Sequence, residues 1–221
     1  MGAPLIKVKQ DLKLQLSLDL MRFEDSLKIV HETQEYVDWI EAGTTIIMVE
    51  GLKSVEELKR LFSSKLIVAD LKITAGERFL AEEAFKAGAD IITVLASADN
   101  LVIKRTIEVT RNYNRKLMVD FLGMRRRTIE RAKEIEKLGP DFITLHSIGD
   151  PLKGEFLNQL EKVSKAVNIP IAIAGNINLN NIDTLLRFEP SVVIVGGAIY
   201  HAVDPASAAR MLKEKMRTDD K

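Results

Sequence analysis

Leu66-Ile67-Val68-Ala69-Asp70-Leu71-Lys72 runs four apolar residues into an acid and, two positions later, a lysine. Leu66–Ala69 has no polar alternation, which is the pattern of a parallel strand buried on both faces. Residues two apart at a strand's end point to one side. Asp70 and Lys72 are therefore expected to stand together beyond that end of the sheet. A solvated ion pair in a loop is the plain alternative. What favours a site is that the rest of the chain repeats the pattern.

Upstream, Leu14–Leu18 reads as a strand ending at Asp19, Phe23–Tyr36 as a helix, and Val37–Ile40 as a second strand with Glu41 directly after it. Ser54 has the form of an N-cap with Glu57 as its capping-box partner, opening a helix through Phe62. Downstream, helix Glu77–Ala87 stops at Gly88 and strand Asp90–Leu95 follows; helix Asn100–Tyr113 leads to strand Lys116–Val119, closing on Asp120. Helix Arg125–Leu138 stops at Gly139-Pro140, and strand Phe142–Leu145 ends at His146. Helix Leu152–Val167, strand Pro170–Ala174 ending at Gly175, a short helix near Asn180–Phe188, strand Val192–Val195 ending at Gly196-Gly197, and helix Pro205–Met216 complete the rhythm. Residues 1–12 read as a loosely held leader, and the last few residues as fraying. The segment Ala84–Leu95 is echoed by Ile135–His146, each a helix end, a glycine stop, an aspartate and a strand. Eight evenly spaced strand–helix units with no linker predict an α/β fold, a single-domain (β/α)₈ TIM barrel; an open doubly wound sheet is the alternative.

Composition narrows the function classes. The chain has 221 residues, with Lys plus Arg and Asp plus Glu both at 32 and a formal net charge of zero. That balance argues against nucleic acid or an anionic membrane as the main partner. With no cysteine, disulfides, thiolate metal ligands and thiol catalysis are excluded. No basic-then-apolar leader or membrane-length apolar run is present, so a soluble cytoplasmic protein is the expectation.

In such a barrel, active sites gather at the C-terminal ends of the strands. Standing there are Asp19, Glu41, Asp70 with Lys72, Ser97, Asp120, His146, Gly175 and Gly196-Gly197. Singly, each reads as a cap or a solvated loop residue; together they converge on one mouth. Glycines after the seventh and eighth strands offer backbone N–H groups to a phosphate. Carboxylates beside a phosphate cradle suggest Mg²⁺, with Glu41 and Asp70 as oxygen ligands from adjacent strands. Such an ion would be a Lewis acid for an enolate, with Lys72 as the nearest fixed cation. His146 brings an imidazole, the side chain suited to moving protons near neutrality. His31 and His201 read as ordinary surface residues.

These residues carry a resemblance. Leu16-Ser17-Leu18-Asp19, Val37–Thr44, Ala69–Ile73, Met118-Val119-Asp120, His146–Asp150, Ile173-Ala174-Gly175 and Val193–Ile199 occur in the order seen in the orotidine monophosphate decarboxylase superfamily. Within it, the chain is similar to the branch of 3-hexulose-6-phosphate synthase and 3-keto-L-gulonate-6-phosphate decarboxylase, from about Leu14 to Met216. The resemblance implies Glu41 and Asp70 as Mg²⁺ ligands, Lys72 and His146 as catalytic groups, and Asp19 and Asp120 as acids lining the site. It implies Gly175, Asn176, Gly196 and Gly197 as the phosphate grip, and a homodimer with sites at the interface. Gly149 stands where the keto-gulonate decarboxylases carry arginine, so His146-x-x-x-Asp150 points instead to an aldolase joining formaldehyde and ribulose 5-phosphate, or running the reverse. A decarboxylase of a keto-sugar-acid phosphate or of orotidine 5'-phosphate, and a non-catalytic sugar-phosphate-binding barrel, are the alternatives. Two departures stand out. The second aspartate of Asp-x-Lys-x-x-Asp, which in the family reaches the neighbouring subunit's site, is absent from Asp70-Leu71-Lys72-Ile73-Thr74-Ala75-Gly76, and Asn176 replaces a second glycine.

Overall fold

The computed structural model describes residues 12–217. Eight parallel strands form a closed barrel in chain order: β1 (Lys13–Leu18), β2 (Trp39–Ala42), β3 (Leu66–Ile73), β4 (Ile91–Leu95), β5 (Lys116–Asp120), β6 (Phe142–His146), β7 (Ile171–Ala174) and β8 (Val192–Val195). Between them run α1 (Phe23–Thr33), α2 (Thr44–Glu50), α3 (Lys53–Leu61), α4 (Glu77–Lys86), α5 (Asn100–Asn112), α6 (Thr128–Leu138), α7 (Phe156–Ala166) and α8 (Ile182–Leu186), with α9 (Gly197–Tyr200) and α10 (Pro205–Arg217) after β8. β8 pairs with β1 from Lys13 opposite Val192 to Leu16 opposite Val195, which closes the ring and excludes an open sheet. Apart from Leu12, the leader expected over 1–12 lies outside the described residues, as do the chain's last four.

The apolar runs have a simple cause: both faces of each strand are buried. Val68 faces inward with Trp39, Ile91, Met118, Phe142, Ala172, Val192 and Ile194. Its neighbours Ile67 and Ala69 face outward, into the layer that Val55, Leu58, Ala81 and Ala84 share from α3 and α4. Trp39 and Phe142 meet edge to face across the barrel interior, ring centres 5.5 Å apart.

The aspartates of the internal echo sit at the opposite end from the strand-end acids. Asp38, outside the echo, precedes β2, and the echo's Asp90 and Asp141 hold the same place before β4 and β6. Their N–H groups donate to the carbonyls of Leu14, Ile67 and Leu117 at 2.9, 2.8 and 3.1 Å. Each carboxylate then accepts the N–H of that same residue, at 2.7, 2.9 and 2.9 Å. The fourth equivalent, Ser191 before β8, keeps the backbone half, donating to Ile171 at 2.7 Å. A pair of strands is thus the repeating unit, and each aspartate ties the beginning of one strand to the next.

Several boundaries differ from the expectation. β2 starts at Trp39 rather than Val37 and runs to Ala42, so Glu41 lies inside the strand. The second helix, α2, was not anticipated, because Thr-Thr-Ile-Ile-Met-Val is a β-branched run of poor helix propensity. Ser54 is not an N-cap: Leu52 holds that position, Ser54 Oγ donates to the Gly51 carbonyl at 2.7 Å, and Glu57 pairs with Arg60. α1 ends at Thr33, α6 begins only at Thr128 after left-handed Arg127 (φ 56°), and α7 begins at Phe156. β3 continues past Ala69 to Ile73, with its register slipping in between.

Asp90 is buried and also accepts Lys59 Nζ at 2.8 Å and pairs with Arg115. Asp90→Ala should therefore destabilise the fold by about 2–4 kcal/mol, since it strands two cations and a buried N–H. Thermal unfolding should show a melting temperature lower by roughly 5–15 °C, while the catalytic constants stay near wild type because the residue lies at the far end of the barrel.

Candidate active site

The slip in β3 shapes the mouth. Lys72 adopts a left-handed backbone (φ 47°), costly for a residue with a side chain, and Thr93 holds it there by accepting its N–H at 2.9 Å. The same Thr93 hydroxyl donates to Asp70 Oδ1 at 2.8 Å. Asp70 Oδ2 accepts Thr44 Oγ1 at 2.6 Å and pairs with Lys72 Nζ. Asp70 and Lys72 do stand together, inside an extended and irregular strand rather than beyond its end.

From Lys72 the contacts continue across the mouth. Lys72 Nζ lies 3.5 Å from Asp120 Oδ2, which is also 3.5 Å from His146 Nδ1. The other Asp120 oxygen accepts the Leu122 N–H at 2.9 Å. Burial alone would lower the Lys72 pKa, but Asp70, Asp120 and Glu41 outweigh it and push it up to about 12. Burial likewise opposes the Asp120 charge, yet His146, Lys72 and the Leu122 N–H together hold its pKa below the usual carboxylate value. At neutral pH the ammonium and this carboxylate are both ionised.

Glu41 is different. It is 5% exposed, and its Oε2 has no hydrogen-bond partner. Burial and the nearby Asp70 charge push its pKa up to about 8, against the opposing influence of Lys72, Gln15 and Ser17. Asp19 completes the acids: it accepts Ser17 Oγ at 3.2 Å and packs on Gly43, where any Cβ would come within 2.4 Å of Asp19 Oδ1. Ser17, Asp19, Glu41, Asp70, Lys72, Asp120 and His146 all line one cavity of about 370 Å³.

That cavity opens into a wider cleft of about 710 Å³ lined by Gly175, Asn176, Gly196, Gly197, Tyr200 and His201. Gly175 has φ +96°, and a Cβ there would come within 2.0 Å of the Ser147 carbonyl oxygen, so the turn after β7 needs glycine. Asn176 (φ 51°) tolerates the left-handed turn and donates Nδ2 to the Gly149 carbonyl at 2.9 Å, tying the turns after β6 and β7 together. Among the described residues no lysine or arginine lines this cleft.

The structure thus brings together every candidate named from the sequence except Ser97, which is exposed and lines neither space. β4 reaches the site through Thr93 instead, and β6 contributes Thr144 below His146. Both threonines lie two positions before their strand's last residue, so strict alternation from the strand end would have found them. His31 is exposed and packs on Phe62, whereas His201, expected to be a plain surface residue, lines the cleft. Glu77, the acid nearest the missing aspartate, turns to Arg105 at 3.3 Å and lines neither space.

Glu41 and Asp70 suit a hard divalent cation. They are carboxylates on adjacent strands, and one presents a buried oxygen without a partner. Among the described residues no group of three or more His, Asp and Glu gathers as a complete ligand set. Mg²⁺ takes one or two carboxylates and fills its shell with water and substrate oxygens, so Glu41 and Asp70 are a pair that could hold it.

Residues 12–212 match the Orotidine 5'-phosphate decarboxylase / HUMPS family. The chain belongs to that family. The 3-hexulose-6-phosphate synthase of Bacillus subtilis (strain 168) is 38% identical over 208 residues, covering 92% of this chain and 98% of that protein. The crystal structure of 3-hexulose-6-phosphate synthase from Salmonella typhimurium superposes with a TM-score of 0.88 at 31% identity, covering 93% of this chain and 98% of that one. The 3-keto-L-gulonate-6-phosphate decarboxylase from Vibrio cholerae is further off in sequence, 27% identical with a TM-score of 0.84, covering 94% and 98%.

The Glu41 environment makes a prediction about stability. Its folded pKa lies above the model-compound value of 4.5, so between 4.5 and about 8 the native state binds more protons than the unfolded one. Stability therefore falls as pH rises through that window. With divalent cations chelated, Glu41→Gln should unfold at a higher temperature than wild type at pH 8, and the gain should shrink toward zero by about pH 4.5.

Proposed function

We propose that this enzyme is a carbon–carbon lyase of the 3-hexulose-6-phosphate synthase type, joining formaldehyde to ribulose 5-phosphate through an enediolate and running the cleavage in reverse. The observation that carries the proposal is the continuous arrangement Thr44–Asp70–Lys72–Asp120–His146 beside an open Glu41 carboxylate, in a cavity that leads into a glycine-lined cleft. The cleft takes the phosphate at Gly175, Asn176, Gly196 and Gly197, and this places the sugar's carbonyl end among the acids.

The protonation states assign the roles. With its pKa near 12, Lys72 is a fixed cation and a poor base; it stabilises the enediolate oxygens by charge. Asp120, kept ionised, holds Lys72 on one side and His146 on the other. His146 Nδ1 faces Asp120, which leaves Nε2 to take the C1 proton and return it to the product oxygen. Glu41 and Asp70 would hold Mg²⁺, which when bound supplies Lewis acidity for the enediolate. Asp19 limits the site beside the sugar chain. The decarboxylase reading lacks its cation after β6: Gly149, with φ +95°, supplies only backbone.

We further propose a cytoplasmic homodimer. Met48, Val49, Phe79 and Leu80 are exposed on α2 and α4, with Met48 at 82% and Phe79 at 80%. Both helices pack on β3, and Phe79 and Leu80 follow closely on residues 74–76, the segment where the family's second aspartate would stand.

Incubation with ribulose 5-phosphate, formaldehyde and Mg²⁺ should consume formaldehyde and yield a hexulose phosphate. Chelation should abolish the reaction and added Mg²⁺ restore it; no turnover under any metal would refute the reading. Lys72→Ala should lower kcat by about 10³-fold and His146→Asn by roughly 10²–10⁴-fold. Separately, light scattering should give a dimer mass for the wild type and a monomer mass for Phe79→Glu.

A further inference from the structure

Thr144 is a buried hydroxyl that the assignments above leave unused. It is 2% exposed, lies on β6 two residues before His146, and lines the cavity. Its Oγ1 has no hydrogen-bond partner. Other buried threonines are satisfied: Thr33 donates to the Ile29 carbonyl, Thr93 to Asp70, Thr106 to the Val102 carbonyl and Thr110 to the Ile107 carbonyl. Thr128 Oγ1 is also without a partner, but it starts α6 and lies outside the cavity. An unmet buried hydroxyl costs free energy that a ligand can return.

The surroundings indicate what kind of ligand. The β1–β4 side of the cavity is charged or polar, with Ser17, Asp19, Glu41, Asp70, Lys72 and Thr93. The β5–β8 side holds Met118, Leu122, Ala174 and Ile194, all apolar. Beside these, the polar groups are Asp120, His146 and Thr144. His146 Nδ1, also without a hydrogen-bond partner, faces Asp120 at 3.5 Å, and these two carry the roles proposed above, which leaves Thr144. A sugar backbone, with a hydroxyl on nearly every carbon, suits the first side. A one-carbon aldehyde, with an apolar CH₂ and a single acceptor oxygen, suits the second. We infer that Thr144 is a catalytic residue that binds the aldehyde, its hydroxyl donating to the carbonyl oxygen.

The inference rests on the aldol reading and adds a specific step to it. His146 takes the C1 proton of ribulose 5-phosphate, and the enediolate electron pair at C1 forms the new bond to the aldehyde carbon. The aldehyde's π pair moves onto its oxygen, which takes the proton from His146. Thr144 transfers nothing; its hydrogen bond strengthens as charge develops on that oxygen. Enediolate formation precedes the arrival of the aldehyde and does not involve Thr144.

Thr144→Val, nearly isosteric, separates the two stages. In heavy water without formaldehyde, exchange of the C1 proton of ribulose 5-phosphate, followed by proton NMR, should stay within about twofold of wild type. In the full reaction, kcat/KM for formaldehyde should fall roughly ten- to hundredfold, KM for ribulose 5-phosphate should hold, and Thr144→Ser should recover most of the loss. The valine variant should also melt at or above the wild-type temperature, since it deletes an unmet hydroxyl. An unchanged kcat/KM for formaldehyde would overturn the inference, as would parallel losses of exchange and addition. A wild type that neither exchanges nor condenses would instead bring down the aldol reading itself.

Discussion

Three carboxylates, Glu41, Asp70 and Asp120, are buried around a single ammonium, Lys72, and the rest of the site follows from that imbalance. Charges removed from water must be matched or neutralised. Lys72 reaches Asp70 and Asp120 only because its backbone takes a left-handed turn, and that turn survives because Thr93 accepts its N–H. Glu41 is left over. With no cation of its own, it meets the excess negative charge by holding its proton up to about pH 8. On the proposed reading, Glu41 and Asp70 would hold a divalent cation, and its charge would take the place of that proton in balancing the cluster.

The barrel divides stability from chemistry along its axis. At the N-terminal ends of the strands, Asp38, Asp90 and Asp141 each lock one strand to the next through paired hydrogen bonds, and Lys213, Lys59 and Arg115 neutralise the first two. Asp38 and Asp90 at that end are matched by cations, and Asp141 stands exposed to water. Acids at the C-terminal end are left partly unmatched, and Gly43 and Gly175 let backbone and side chains approach more closely than a Cβ would allow. Residue type alone does not distinguish the two sets; what distinguishes them is the supply of partners. The lower clasps hold the strands together while the upper end carries strain such as that at Lys72.

This division explains what could be read from the sequence. Strands buried on both faces appear as largely apolar runs, unbroken in β7 and β8 and interrupted by Gln15 and Ser17 in β1, Thr93 in β4 and Thr144 in β6, and these runs make all eight barrel strands and the convergence of their ends legible. The internal echo is visible in the sequence but not its meaning, because a hydrogen bond from the backbone of the preceding strand to the Asp90 or Asp141 carboxylate leaves no mark there. Strand ends were placed short at Glu41 and Asp70, where functional polar residues continue inside the barrel and break the apolar signal. The same effect hid Thr93 and Thr144, whose polarity is spent inward. α2 was missed because tertiary packing of Ile46 overrides the poor helix propensity of a β-branched run.

The absent second acid bears on how complete one chain's site is. Thr74 and Ala75 are exposed, Gly76 turns left-handed at φ 68°, and Glu77 is committed to Arg105. No acid in this turn can swing into the chain's own cavity, and the same turn adjoins the exposed Phe79 and Leu80. If two copies meet there, what each offers the other's mouth is a threonine hydroxyl and an open backbone rather than a carboxylate. In a cluster already short of positive charge, a further carboxylate would raise the Glu41 pKa again and compete with metal binding. On the proposed reading its absence would ease the charge imbalance at the mouth, where Lys72 and His146 both lie 3.5 Å from Asp120.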